Sequence, residues 1–153
     1  MAKSGYPCME VAGNRWRPVF LMLLMVVACG RPPPEQQLRE AIGGIEAAIE
    51  ERDVSGIRSK LADDFIGPGG MDREAAGRLA RVMFMRHRDV GATVAIREVD
   101  ISEDHATVRL EAVLTGGAGR ALPDAARVYT VRTGWRYESG EWRMTSAEWS
   151  PRL

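Results

Sequence analysis

The chain has 153 residues, enough for one domain with a single core and too few for two. Apolar residues make up 45% and charged residues 27%, and 21 basic side chains balance 21 acidic ones, so the charge gives no reason to expect nucleic acid as a partner. Two cysteines (Cys8, Cys29) and two histidines (His87, His105) exclude a disulfide-dense scaffold, and no motif marks a metal or cofactor site.

In chain order, the first feature is an uncharged run at 18–28, PVFLMLLMVVA, preceded by Arg15 and Arg17. As a helix it would cover roughly 16 Å, about half a hydrocarbon core, and PPP at 32–34 forbids its continuation. Its length suits the apolar region of a signal peptide. The segment VVAC at 26–29 resembles the lipobox of bacterial lipoproteins: branched Val26, tolerant Val27, small Ala28, then Cys29. The resemblance implies a signal peptide over 1–28, cleavage before Cys29, a diacylglycerol on its thiol and a further acyl chain on its new amino group. Several acyl chains hold a protein firmly to a bilayer, where one does not. Gly30 follows the cysteine in place of Asp. In lipoproteins of two-membrane bacteria this resembles the pattern for passage to the outer membrane, with the domain facing the periplasm. The competing readings of Cys29 are an uncleaved anchor and a buried core cysteine. Without the leader the chain carries 18 basic and 20 acidic side chains, and Lys60 is its one lysine.

Residues 29–36 read as a stiff Pro-rich tether and 37–150 as the domain. Leu38, Ile42, Ile45 and Ile49 recur at helical spacing with Ala41 and Ala48 beside them, and Gly43 and Gly44 imply a bend or a close backbone neighbour. Asp53 is the expected cap of a second, shorter helix carrying Ile57, Leu61 and Phe65, ended by Asp63 and Asp64. GPGG at 67–70 breaks the chain. Asp72 then caps a third helix, with Glu74 in its first turn and Ala75, Leu79, Val82 and Met83 on one face.

From residue 91 the period becomes two. Val94 and Ile96 share a face and Val99 and Ile101 fall out of phase, which predicts a bulge between them. Ala106, Val108, Leu110, Ala112 and Leu114 alternate with polar residues, as do Tyr129, Val131, Thr133, Trp135 and Tyr137. ESGE at 138–141 turns into a last strand, WRMTSAEW. Helices followed by about four antiparallel strands make an α+β pattern, a curved sheet wrapped around helices.

The stretch ERDVSGIRSKLADDFIGPGGMDREAAGRL and the ending TGWRYESGEWRMTSAEWS resemble the nuclear transport factor 2-like (SnoaL-like) superfamily over roughly residues 35–150. The resemblance implies a cystatin-like cone with helices in the concave face of a curved antiparallel sheet, a pocket between them, and dimers through the sheet. Enzymatic relatives of the ketosteroid isomerase, polyketide cyclase and scytalone dehydratase types use a pocket carboxylate with a Tyr or His partner. Here Glu148 shares strand parity with Trp142 and Met144, so the sharpest dyad is Glu148 with Tyr129 or Tyr137; the alternative is that Glu148 points outward at a fraying strand end. His87 and His105 read as surface residues, and GGAGR at 116–120 lacks the helix and Lys-Ser/Thr step of a phosphate loop. Arg97, Arg109, Arg132, Arg136 and Arg143 share the polar phases with Glu111 and Glu141. That face is either a docking surface for an anionic partner or a solvated, salt-bridged one. The expected function is a lipid-anchored, non-catalytic module that binds a small apolar ligand or a partner protein, or pairs with a second copy through its sheet. The alternative is a lyase or isomerase.

Overall fold

In the computed structural model, the first helix, α1 (Pro34–Glu50), starts with a proline at its first position, where the missing N–H costs nothing. The helix thus begins inside the segment read as tether. The structure describes residues 32–87, 89–117 and 125–152. Cys8, the leader and Cys29 lie outside the described residues, as does most of the GGAGR loop. From Pro32 onward the chain forms one compact unit with its own core.

Helix α1 is continuous through both glycines. A Cβ at Gly43 would meet nothing within 4 Å, and one at Gly44 would meet only the Lys60 Cε at 3.2 Å, so no backbone packs there. The expected apolar face is the one that packs: Leu38, Ala41, Ile42 and Ala48 are buried. A short helix α2 (Val54–Ser59) follows, with the Asp53 carboxylate accepting from the Ser55 N–H at 2.9 Å.

Here the structure corrects the sequence reading. Helix α2 stops at Ser59, and residues 61–66 form strand β1 (Leu61–Ile66), which runs parallel to the last strand. Leu61 and Phe65 are buried as expected, but on a strand. The four-residue spacing that suggested helix fits an irregular edge strand equally well, and the pairing that decides between them lies some eighty residues away, at Met144 and Ser146. The turn Pro68–Gly70 uses left-handed backbone at Gly69 (φ 68°) and Gly70 (φ 77°), which only glycine adopts freely. Helix α3 (Arg73–Arg86) then starts at Asp72, whose carboxylate accepts from the Ala75 N–H at 2.7 Å.

The face of α3 is a second finding. Its buried residues are Gly77 and Phe84, whereas Leu79, Val82 and Met83, on the apolar face that the spacing marks, are exposed. Gly77 packs where it does because the Arg58 side chain crosses it; a Cβ there would lie 2.7 Å from the Arg58 Cδ.

Strands β2 (Asp89–Ser102), β3 (His105–Gly117), β4 (Ala125–Glu138) and β5 (Glu141–Pro151) follow as an antiparallel meander. The sheet order is β1-β5-β4-β3-β2, five strands in all, antiparallel except at β1. The expected bulge in β2 is present: Ile96 pairs with Leu110 and Glu98 with Arg109, leaving Arg97 as the extra residue. Either side of it, Val94, Ile96, Val99 and Ile101 all pack on the core. Leu38, Ala41 and Ile42 of α1 lie against Ala106, Val108, Leu110, Trp135 and Trp142, so α1 fills part of the curved sheet's inner face. At the centre, the Trp135 indole N–H donates to the Thr133 hydroxyl at 2.8 Å, and both residues are buried.

Candidate functional site

The inner face of the sheet has two halves. The half near the β4–β5 turn is closed by α1. Towards the other end the register sets Leu110, Val131 and Trp149 in one row, Ala112, Tyr129 and Pro151 in the next, and Leu114 beside Arg127 beyond them. There Trp149 is 40% and Leu114 39% exposed, while Tyr129 and Val131 are half-buried. The result is an apolar step open to solvent, with the exposed Arg127 at its end. Among the described residues, Arg127 takes part in no ion pair.

Glu148 is not part of this face. Between β4 and β5 the register slips: Trp135 pairs with Met144 but Gly134 pairs with Ser146, so Thr145 is an extra residue. The slip reverses the phase of the strand, because a one-residue shift turns every later side chain over. Ala147 and Trp149 therefore face inward, and Glu148 stands exposed opposite Arg132 on the outer face. The dyad of Glu148 with Tyr129 or Tyr137 does not form. Tyr129 lies in the open apolar step. Tyr137 packs edge-on against Trp142 with ring centroids 5.4 Å apart, and its buried hydroxyl has no hydrogen-bond partner among the described residues. The signal for Trp149 was present in the sequence, since Ala147 and Trp149 are out of phase with Trp142 and Met144.

Among the described residues, the inner positions of β2 to β5 carry no Asp or Glu. The Glu46 carboxylate of α1 is used to accept the backbone N–H of Val94 at 3.0 Å. Among the described residues, no three His, Cys, Asp or Glu side chains come together as a metal site requires. His105 is exposed beside the Asp104 carboxylate, and half-buried His87 lies over Gly116.

The outer face is salt-bridged. Arg97 bonds Glu111 at 2.6 Å, Arg109 pairs with Glu98 at 3.1 Å, and Arg143 sits 3.7 Å from Glu138. Arg136 reaches across β5 and grips both carboxylate oxygens of Asp64 on β1 at 3.0 and 2.9 Å, while its Nε donates to Glu138 at 3.0 Å. This hydrogen-bonded guanidinium holds the Asp64 carboxyl below the usual carboxylate range, and Asp64 in turn raises Arg136. Arg97, with Arg152 behind it, does the same for Glu111. Asp63 pairs with Arg73 of α3. Both aspartates therefore tie an edge strand to its neighbours and do not end a helix. Arg132 is exposed and outside these pairs.

Two hollows lie away from the sheet's inner step. One, about 320 Å³, is a wide groove lined by Glu51, Arg52, Val54, Arg81, Phe84 and Met85. The other, about 190 Å³, lies between the start of α1 and the β4–β5 turn, lined by Gln37, Glu40, Lys60 and Trp142 among others.

This architecture is that of the nuclear transport factor 2-like cone. It is similar to a candidate dehydratase of that family from Streptomyces avermitilis (TM-score 0.65, 18% identity, covering 77% of this chain and 95% of that one). It is also similar to a candidate calcium/calmodulin-dependent protein kinase type II association domain from Thiobacillus denitrificans (TM-score 0.62, 22% identity, 80% and 97%). A third similar structure is Bd1075 of Bdellovibrio bacteriovorus (TM-score 0.67, 11% identity), where the match covers 76% of this chain but only 41% of that longer one. No protein-family model matches the sequence, and no curated protein matches it. Identities this low establish a shared fold and leave the chemistry to the site itself.

Proposed function

We propose that this protein is a bacterial lipoprotein, cleaved before Cys29 and held to the outer membrane by acyl chains, whose cone-shaped domain binds an apolar ligand without catalysing a reaction. The observation that carries the binding reading is the open apolar step of Leu114, Tyr129, Val131 and Trp149 on an inner face without a carboxylate. Proton-transfer chemistry of the isomerase or dehydratase kind needs an acid or base within hydrogen-bond reach of the bound substrate. With Glu148 turned outward, the described inner positions of β2 to β5 supply no carboxylate for that role. An aromatic and aliphatic surface with one cation at its rim suits an elongated apolar molecule.

Native mass spectrometry of the unit beginning at Pro32, followed by lipid and small-molecule extraction, tests this reading. A co-purifying apolar compound, lost or reduced severalfold in Trp149→Ala, is the expected result. Retention of the compound by that variant, or a purified domain with nothing bound that also leaves Trp149 fluorescence unchanged by apolar probes, overturns it. The anchor is tested apart: Cys29→Ser is expected to abolish acylation and cleavage at residue 29. A variant still lipidated and processed at the same bond removes the anchor from the reading.

A further inference from the structure

Helix α3 has two apolar sides, and the domain uses only one. Gly77 and Phe84 are buried against the rest of the fold. Round the helix, Ala75, Leu79, Val82 and Arg86 recur at spacings of four, three and four, which places them on a single stripe pointing away from the buried side. Leu79 is 36%, Val82 37%, Met83 41% and Met85 71% exposed. Arg78 is exposed beside this stripe and Arg86 at its end, and among the described residues neither takes part in an ion pair, while Arg81 lies on the side of Gly77 and Phe84 and lines the groove there. The one acid of the helix, Glu74, is already taken by Arg58. From residue 75 to 87 there is no acidic side chain at all.

We propose that this face of α3 lies on an anionic lipid surface. An apolar stripe rimmed by cations of one sign is the pattern of helices that rest in the plane of a bilayer, with side chains in the headgroup region and cations on the phosphates. Guanidinium groups pair with phosphate through two hydrogen bonds, and their long stems let the charge reach the headgroups while apolar neighbours sink below it. Unbranched Met83 and Met85 adapt to a disordered apolar phase. Charge complementarity selects the occupant: the arginines around the stripe lack partners, and a phospholipid layer supplies phosphates along its whole extent. A cone tethered at its first helix would thereby hold a set orientation against the membrane.

The test uses the unit beginning at Pro32, which has its own core and lacks both leader and Cys29, so its outcome is independent of lipidation. It is mixed with vesicles of phosphatidylglycerol and phosphatidylethanolamine, or of phosphatidylcholine alone, and sedimented. Binding to the anionic vesicles, weak binding to the neutral ones, and release by salt are expected. Arg78→Glu with Arg86→Glu should weaken binding by at least about twenty-fold, at about fivefold per cation near the surface. Leu79→Ser with Met83→Ser should weaken it severalfold, while Arg132→Glu on the outer sheet leaves it unchanged; circular dichroism checks that each variant keeps its fold. Absence of binding to anionic vesicles, equal binding to both compositions, or insensitivity to the α3 variants overturns the proposal. So does self-association through α3 that consumes the same residues in sedimentation velocity.

Discussion

At the residue scale, one inserted threonine decides what the site can do. Thr145 moves Glu148 from the inner to the outer face and puts Trp149 in its place. The proton-transfer reading rested on unbroken alternation through WRMTSAEW, and the bulge removes it. Tyr137 offers a sharp check, because its hydroxyl is buried without a partner among the described residues. Replacing an unpaired buried hydroxyl by hydrogen is expected to be neutral or stabilising by up to about 1 kcal/mol. Tyr137→Phe should therefore keep or raise the urea midpoint; a clear loss would reveal a partner that the hydroxyl needs. Thr133→Val is the converse case. It strips the acceptor from the buried Trp135 N–H and should cost about 1–3 kcal/mol in the same measurement.

At the scale of elements, what the sequence made legible depended on how local the deciding interaction is. The caps at Asp53 and Asp72, the packed face of α1 and the bulge at Arg97 were readable because each is set by neighbours a few residues apart. Strand β1 and the exposed side of α3 were not, since partners distant in sequence decide both. Periodicity identifies an apolar stripe but not the direction it faces, and in α3 a second, weaker side of Gly77 and Phe84 takes the core. In α1 the Gly43 position is open, so Gly43→Ala should stabilise the domain by about 1 kcal/mol, read from chemical denaturation. Strand β1 gives a pH prediction. The Asp64 and Glu111 carboxyls are held below their ordinary range in the folded state, so their contribution is present above that range and lost as the pH falls through the folded values. Stability should decline below about pH 4, and Asp64→Asn should flatten that decline. Hydrogen exchange in residues 61–66 should quicken in Arg136→Ala, because the guanidinium that spans β5 is what reaches β1.

At the scale of the whole molecule, the α+β class and the cone were legible, while the site was not. The fold follows from the order of helical and alternating segments, a property of the entire chain. The site follows from which way a few strand ends face, and that turns on single-residue slips. The outer face bears this out in charge: of the arginines that suggested an anionic partner, Arg97, Arg109, Arg136 and Arg143 are matched with Glu111, Glu98, Asp64 and Glu138, and Arg132 stands outside these pairs.

The hydrogen bond from Val94 to Glu46 also bears on solubility. Strand β2 is an outer strand of the sheet, and an outer strand exposes backbone groups that another chain can extend into a growing ribbon. The Glu46 carboxylate occupies one of those N–H groups, and the bulge at Arg97 twists the strand just beyond it. Together they cut the rim of the sheet into lengths too short to recruit a stranger's strand. A Glu46→Ala protein should therefore fold, yet thicken into thioflavin-positive aggregates sooner than the parent on prolonged warming.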